Sequence, residues 1–169
     1  GGRLPLHYAA AQGAPPGAVR ALLAAHPAGA ATPDACRSLP LHLAVENRAC
    51  PEVVMALLEA NPGAAAARDE DANLPLHYAA AQQAPVAVVS ALLSAHRDGA
   101  GALGEGSLLP LQVAVASGAD AEVVAALLEV FPSGVAYQDP VSRLPLHRAA
   151  AAGAGRNVVG ALLEAQPQA

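Results

Sequence analysis

The sequence predicts an all-α repeat solenoid, a single row of five helix-turn-helix units joined by long connectors. Three observations predict it. The first is a phrase that returns every 35 residues. It reads Leu4-Pro5-Leu6-His7-Tyr8-Ala9, and its prolines recur at 5, 40, 75, 110 and 145 without slippage. The second is a partner phrase on the same period: Val19/Leu22/Leu23, Val54/Leu57/Leu58, Val89/Leu92/Leu93, Val124/Leu127/Leu128 and Val159/Leu162/Leu163. The third is composition. The chain is 54% hydrophobic but has one Phe and no Trp, and much of its apolar content is alanine. Small side chains cannot fill a thick core; they suit thin layers of short helices lying close together.

The periodicity divides residues 1–169 into one array with approximate repeats 1–33, 34–68, 69–103, 104–138 and 139–169. Within each, the Leu-Pro phrase opens a first helix. Proline suits the first helical position because its φ is already helical and its missing N–H would be unpaired there. Leu76, Ala79 and Ala80 then recur at helical spacing on one face. The first helix is expected to span about two turns and to stop near Gln82-Gln83, where three other repeats carry Gly13, Gly118 and Gly153. A tight turn follows, with Pro15 and Pro85 at matched places. The second helix buries Val88, Val89, Leu92 and Leu93 in the third repeat, and prolines 27, 62, 132 and 167 mark its exit elsewhere. The remaining residues of each repeat form a connector, either a hairpin-like finger or a plain loop. Helices below ~12–15 residues are marginal alone, so each pair must bury its stripe against its neighbours. Ala9, Ala44, Ala79, Ala114 and Ala149 allow close approach of the first helices.

Charge narrows the function classes. The net charge is -5, all nine cations are Arg, and no basic stripe exists. An electrostatic nucleic-acid footprint is therefore not expected. Without Lys there is no P-loop or Schiff-base chemistry. Cys36 and Cys50 form no CxxC pair, which fits a reduced, intracellular and cytoplasmic setting. Pro, Gly, His or a charge interrupts every long apolar stretch, so no membrane span or leader is expected. The chain reads as an excerpt of a longer protein, flanked by further repeats or domains.

Helix, turn, helix, long connector and a Pro-Leu-His-x-Ala phrase together resemble the ankyrin repeat, whose familiar phrase is T-P-L-H-x-A. This chain has Leu-Pro-Leu-His at four of five places and adds two residues per repeat. The resemblance covers the whole chain. The aspartate that opens each family finger is matched by Asp34, Asp69 and Asp139. Two features depart from the pattern. The capping Thr is replaced by Leu4, Leu39, Leu74, Leu109 and Leu144, and the family Gly three residues before the proline survives only as Gly2. Arg37, Ala72, Ser107 and Ser142 hold the other places.

The resemblance implies a non-enzymatic scaffold that binds a protein through a concave face of connector tips and exposed first-helix ends. By matched position that face includes Arg3, Gln12, Cys36, Ser38, Glu46, Asn47, Glu70, Asp71, Asn73, Gln82, Glu105, Ser117 and Arg143. Tyr8 and Tyr78 are further contact candidates, because Tyr is enriched at binding hot spots. The repeated His7, His42, His77 and His147, with Gln112 in the fourth place, are read as structural. Packed helices lie ~8–10 Å apart, too far for histidines one repeat apart to share a zinc with ~2 Å bonds. A ring nitrogen bonded to the adjoining connector is expected instead. Gly99-Ala100-Gly101-Ala102-Leu103-Gly104 matches GxGxxG, but a helix precedes it where a dinucleotide site needs a strand. No cofactor or metal is expected, and no HExxH, GxSxG or Ser-His-Asp grouping appears. A different class remains as the alternative: a regulatory or targeting segment of an enzyme whose catalytic domain lies outside these residues. A structural spacer is the third reading.

Overall fold

The computed structural model describes residues 2–166. Pro167, expected to mark the last helix exit, lies outside the described residues. Five pairs of helices follow one another: α1 (Pro5–Ala11) and α2 (Pro16–Ala25), α3 (Pro40–Glu46) and α4 (Pro51–Ala60), α5 (Pro75–Ala81) and α6 (Val86–Ala95), α7 (Pro110–Ala116) and α8 (Ala121–Val130), α9 (Pro145–Ala151) and α10 (Arg156–Glu164). First helices pack on first helices and second on second, giving two layers. The seam holds Leu41, Leu57, Leu74, Leu92, Leu109 and Leu127, all fully buried. Ala44, Ala79, Ala114 and Ala149 are also fully buried, so nothing larger than a methyl fits between adjacent first helices there.

Each first helix is started and stopped by local chemistry. Proline occupies its first position, and Leu stands at the N-cap in extended geometry. Leu has no acceptor for the orphan N–H groups. What it offers is apolar surface: Leu39, Leu74 and Leu109 are buried, worth ~1.5–3 kcal/mol each if complete. The other end closes with a left-handed residue: Gly13, Arg48, Gln83, Gly118 and Gly153, with φ from 55 to 74°. The next amide then reaches back to the helix, as Ala14 N–H to the Ala9 carbonyl at 3.0 Å and Ala84 N–H to Ala79 at 2.9 Å. This is the Schellman stop, and it reverses the chain into the second helix.

The second helices pass directly into 3-10 turns at Pro27–Ala31, Pro62–Ala66, Arg97–Gly101 and Pro132–Ala136. A short extended stretch follows, and then a five-residue tip. The tip closes with a bond from its first N–H to its last carbonyl: Asp34 to Ser38, Asp69 to Asn73, Gly104 to Leu108, Asp139 to Arg143. No strand forms among the described residues, so the connectors are turned loops rather than β-hairpin fingers. The physical reason is that adjacent tips share single bonds, such as Glu70 N–H to the Cys36 carbonyl at 3.0 Å, where a sheet needs a ladder.

Candidate functional site

The tips rest on two sets of side chains. The first set is the repeated histidines. In His42 the Nδ1 atom accepts from Leu39 N–H at 3.1 Å, while Nε2 lies 3.1 Å from the Ala67 carbonyl. His77 repeats this with Leu74 N–H and the Ala102 carbonyl, both at 3.1 Å. Because Nδ1 accepts, the ring proton sits on Nε2 and donates to the connector. The ring therefore supplies the N3 half of a capping box, which Leu at the N-cap cannot complete. It also ties its helix to the following connector. Gln112 makes the same pair of bonds, to Leu109 N–H at 3.1 Å and to the Tyr137 carbonyl at 3.2 Å. His7 and His147 keep only the helix bond among the described residues, at 3.0 Å each. His147 is exposed, whereas His7, His42 and His77 are buried. Burial holds the imidazoles of His42 and His77 below their ordinary pKa, although Asp69 and the Ala67 carbonyl pull the first partly back.

The second set is the aspartates. Oδ1 of Asp34, Asp69 and Asp139 accepts the amides two and four residues on, all within 2.8–3.0 Å. Oδ2 finds a different partner in each repeat. Arg3 Nε donates to Asp34 at 2.8 Å. The Tyr78 hydroxyl donates to Asp69 at 2.6 Å. Arg143 and Arg148 converge on Asp139 at 2.9 and 2.7 Å. Burial pushes Asp139 up, but the Arg143 amide and the two guanidinium groups more than offset it, leaving the carboxyl well below the usual range. Burial and the bond to Asp69 push the Tyr78 phenol up.

Repeat four breaks the pattern. Gly104 stands where the aspartate would be, and Asn73 of the preceding tip uses the space. Its Oδ1 accepts from Glu105 N–H at 2.9 Å. A Cβ on Gly104 would collide with that oxygen and come within 2.8 Å of His77 Nε2.

The expected contact residues fall into three groups. Arg3, Gln12, Cys36, Glu46, Asn47, Glu70, Asp71, Glu105 and Arg143 are exposed. Gln82 and Ser117 are half-buried. Ser38 and Asn73 are buried beneath their tips, 7% and 8% exposed, where a partner would find little of them. Tyr8 is 51% exposed, whereas Tyr78 is half-buried and edge-on to His42. A pocket of about 390 Å³ opens between the third and fourth repeats, walled by Tyr78, Ala81, Leu108, Val113 and Glu105. Val113 is absent from the expected set. The sequence does carry a signal for it, as a position where Tyr8, Leu43, Tyr78 and Arg148 stand in the other repeats. A second pocket of about 280 Å³ lies at the opposite edge, near Arg48, Cys50 and Gln83.

No helix among the described residues is long and apolar enough to cross a membrane. No curated protein matches the chain at a significant level. A family model described as ankyrin repeats in three copies matches residues 6–102, more than half of the sequence. With that match, the stacked helix pairs and the Pro-Leu-His phrase that ties each pair to its connector, the chain belongs to the ankyrin repeat family.

Proposed function

We propose that this array binds a protein partner on the face formed by connector tips and exposed first-helix ends. Ankyrin repeats in general act as non-catalytic scaffolds for protein–protein interaction. The observation that supports this face is a contrast within the repeat. The buried apolar core holds only Leu, Val or Ala from repeat to repeat. At the tips, Ala35, Glu70, Glu105 and Pro140 share one place, and Cys36, Asp71, Gly106 and Val141 the next. Places freed from packing are able to encode a partner. The exposed Cys36 and Cys50 are unpaired, which fits a reducing cytoplasmic setting.

The test is a titration of charge variants against a partner recovered with the intact array. Reversal of Glu70 and Asp71 together should weaken a basic partner, mostly through a salt-dependent on-rate. Reversal of Arg20, exposed on α2, should do little. Loss from the Arg20 change with none from Glu70 and Asp71 would move the site to the other face.

A further inference from the structure

At the pocket between the third and fourth repeats one matched residue is small. At the joint before it, the Tyr78 ring stands edge-on to His42, centroids 6.2 Å apart, and fills the space under the tip. At the joint after it, Arg148 fills the matched space and binds Asp139. Between them the matched residue is Val113, which is short and carries no polar end. The tip above also differs: Gly106 replaces the matched Asp71, and the apolar Leu108 replaces Asn73. The pocket keeps apolar walls in Leu108, Val113 and Ala81, and Glu105 stands exposed at its mouth. Glu70 and Asp71, also exposed, occupy the adjoining tip, which touches this one through Asn73 and Glu105.

Val in place of Tyr removes an aromatic ring from this joint, and the tip lacks its aspartate, while Gly106 takes φ 64°, which glycine adopts without strain. These departures converge on one opening with a greasy floor and a carboxylate rim. Such a site disfavours phosphate and nucleic acid through its charge, and it fits an apolar side chain flanked by a cation.

Resting on the interaction face proposed above, we propose that this pocket is the anchor of that face. Its occupant is an extended partner segment that inserts one Leu, Ile or Met side chain and places an adjacent Arg or Lys against Glu105. The segment's backbone runs along the tips, and its cation reaches the row that Glu70 and Asp71 continue.

The probe is a random-peptide display library selected on the whole chain. Enriched peptides should share an aliphatic residue beside Arg or Lys. Their affinity should fall about tenfold or more in Val113→Tyr, which refills the pocket with the residue repeat three uses. Leu108→Ser, which copies the residue at the matched place in repeat two, should weaken them without refilling the space. It decides the matter should the tyrosine variant fail to fold. Glu105→Gln should weaken them in low salt and matter less in high salt. The absence of any enriched motif, or peptides indifferent to both Val113→Tyr and Leu108→Ser, would overturn the pocket. Peptides that ignore those two changes but respond to Glu70 and Asp71 reversal would leave the face standing without this anchor. Peptides that ignore all of these and respond to Arg20 reversal would remove the face as well.

Discussion

In the three middle repeats one side chain satisfies two backbones, and that makes it testable by exchange with a neighbour. Gln112 already performs the histidine's task. His77→Gln should therefore stay within about 1 kcal/mol of wild type in urea unfolding, while His77→Ala should lose ~1–3 kcal/mol by leaving a buried amide and carbonyl unpaired. The two variants should also differ from wild type in acid. Unfolded histidine titrates near 6.5, and folded His42 and His77 lie below that. The unfolded chain thus takes up protons first, and stability must fall as pH drops below about 6.5. Protonation of Nδ1 would also set two donors face to face. The urea midpoint of wild type should accordingly drop between pH 7.5 and 5.5, and the drop should shrink in a His42→Gln/His77→Gln double variant. An undiminished drop would assign the acid sensitivity elsewhere. A second residue-scale device is the left-handed backbone. Ala72 holds φ 63° where the family pattern has glycine. An L-residue there costs roughly 1–2 kcal/mol, against ~0.5–1 for the added freedom of glycine. Ala72→Gly should stabilise by several tenths of a kcal/mol. Gly13→Ala should destabilise by a like amount through backbone strain alone, since a Cβ there meets nothing within 4 Å.

At the scale of the element, the connectors share one length but not one strength. Three tips are organised around a buried aspartate whose Oδ1 takes two amides. The fourth has Gly104 there, and the amides of Gly106 and Leu108 lose that acceptor. It retains the closing bond to Leu108 and the borrowed Asn73. Native-state hydrogen exchange should therefore show Gly106 and Leu108 exchanging faster than Asp71 and Asn73. Equal protection at the two tips would mean that Asn73 rigidifies the loop as well as an aspartate does. The same comparison bears on binding, because the less constrained tip is the one beside the pocket.

For the whole molecule, each repeat touches only its neighbours, so stability is local in a way that a globular core forbids. Leu92 and Leu162 are matched seam residues, 1% and 0% exposed. Truncation to Ala should cost about 2–5 kcal/mol at either place. The consequences should differ. In the middle, Leu92→Ala is flanked by packed repeats on both sides and should lower the main unfolding transition. In a chain cut after residue 169, where the fifth repeat has a packed repeat on one side only, Leu162→Ala should melt α9 and α10 in an earlier step and leave the main transition nearly in place. Two identical single-step melts would show that the array unfolds as one cooperative block.

The sequence by itself determined the architecture, because architecture here is periodicity. Proline at 5, 40, 75, 110 and 145 starts a helix wherever it falls, and the spacing of Val and Leu decides which face is buried. Leu39, Leu74 and Leu109 as apolar N-caps were likewise readable from local chemistry. What the tertiary structure decided lies between repeats. A sequence reading gives His42 one bond to the adjoining connector; the second bond, back to Leu39, depends on the rotamer that packing imposes. Strand or loop for the connectors was open in the sequence, since either can carry Gly, Ala and Asp. Only the spacing of adjacent tips settles it. Ser38 and Asn73 sit at a variable place, yet they are buried, because the tip folds over them. The pocket at Val113 is the plainest case. A valine in one repeat is ordinary alone, and lines an opening here only where the third and fourth repeats stack, with Tyr78 and Ala81 of one and Glu105 and Leu108 of the other as its walls.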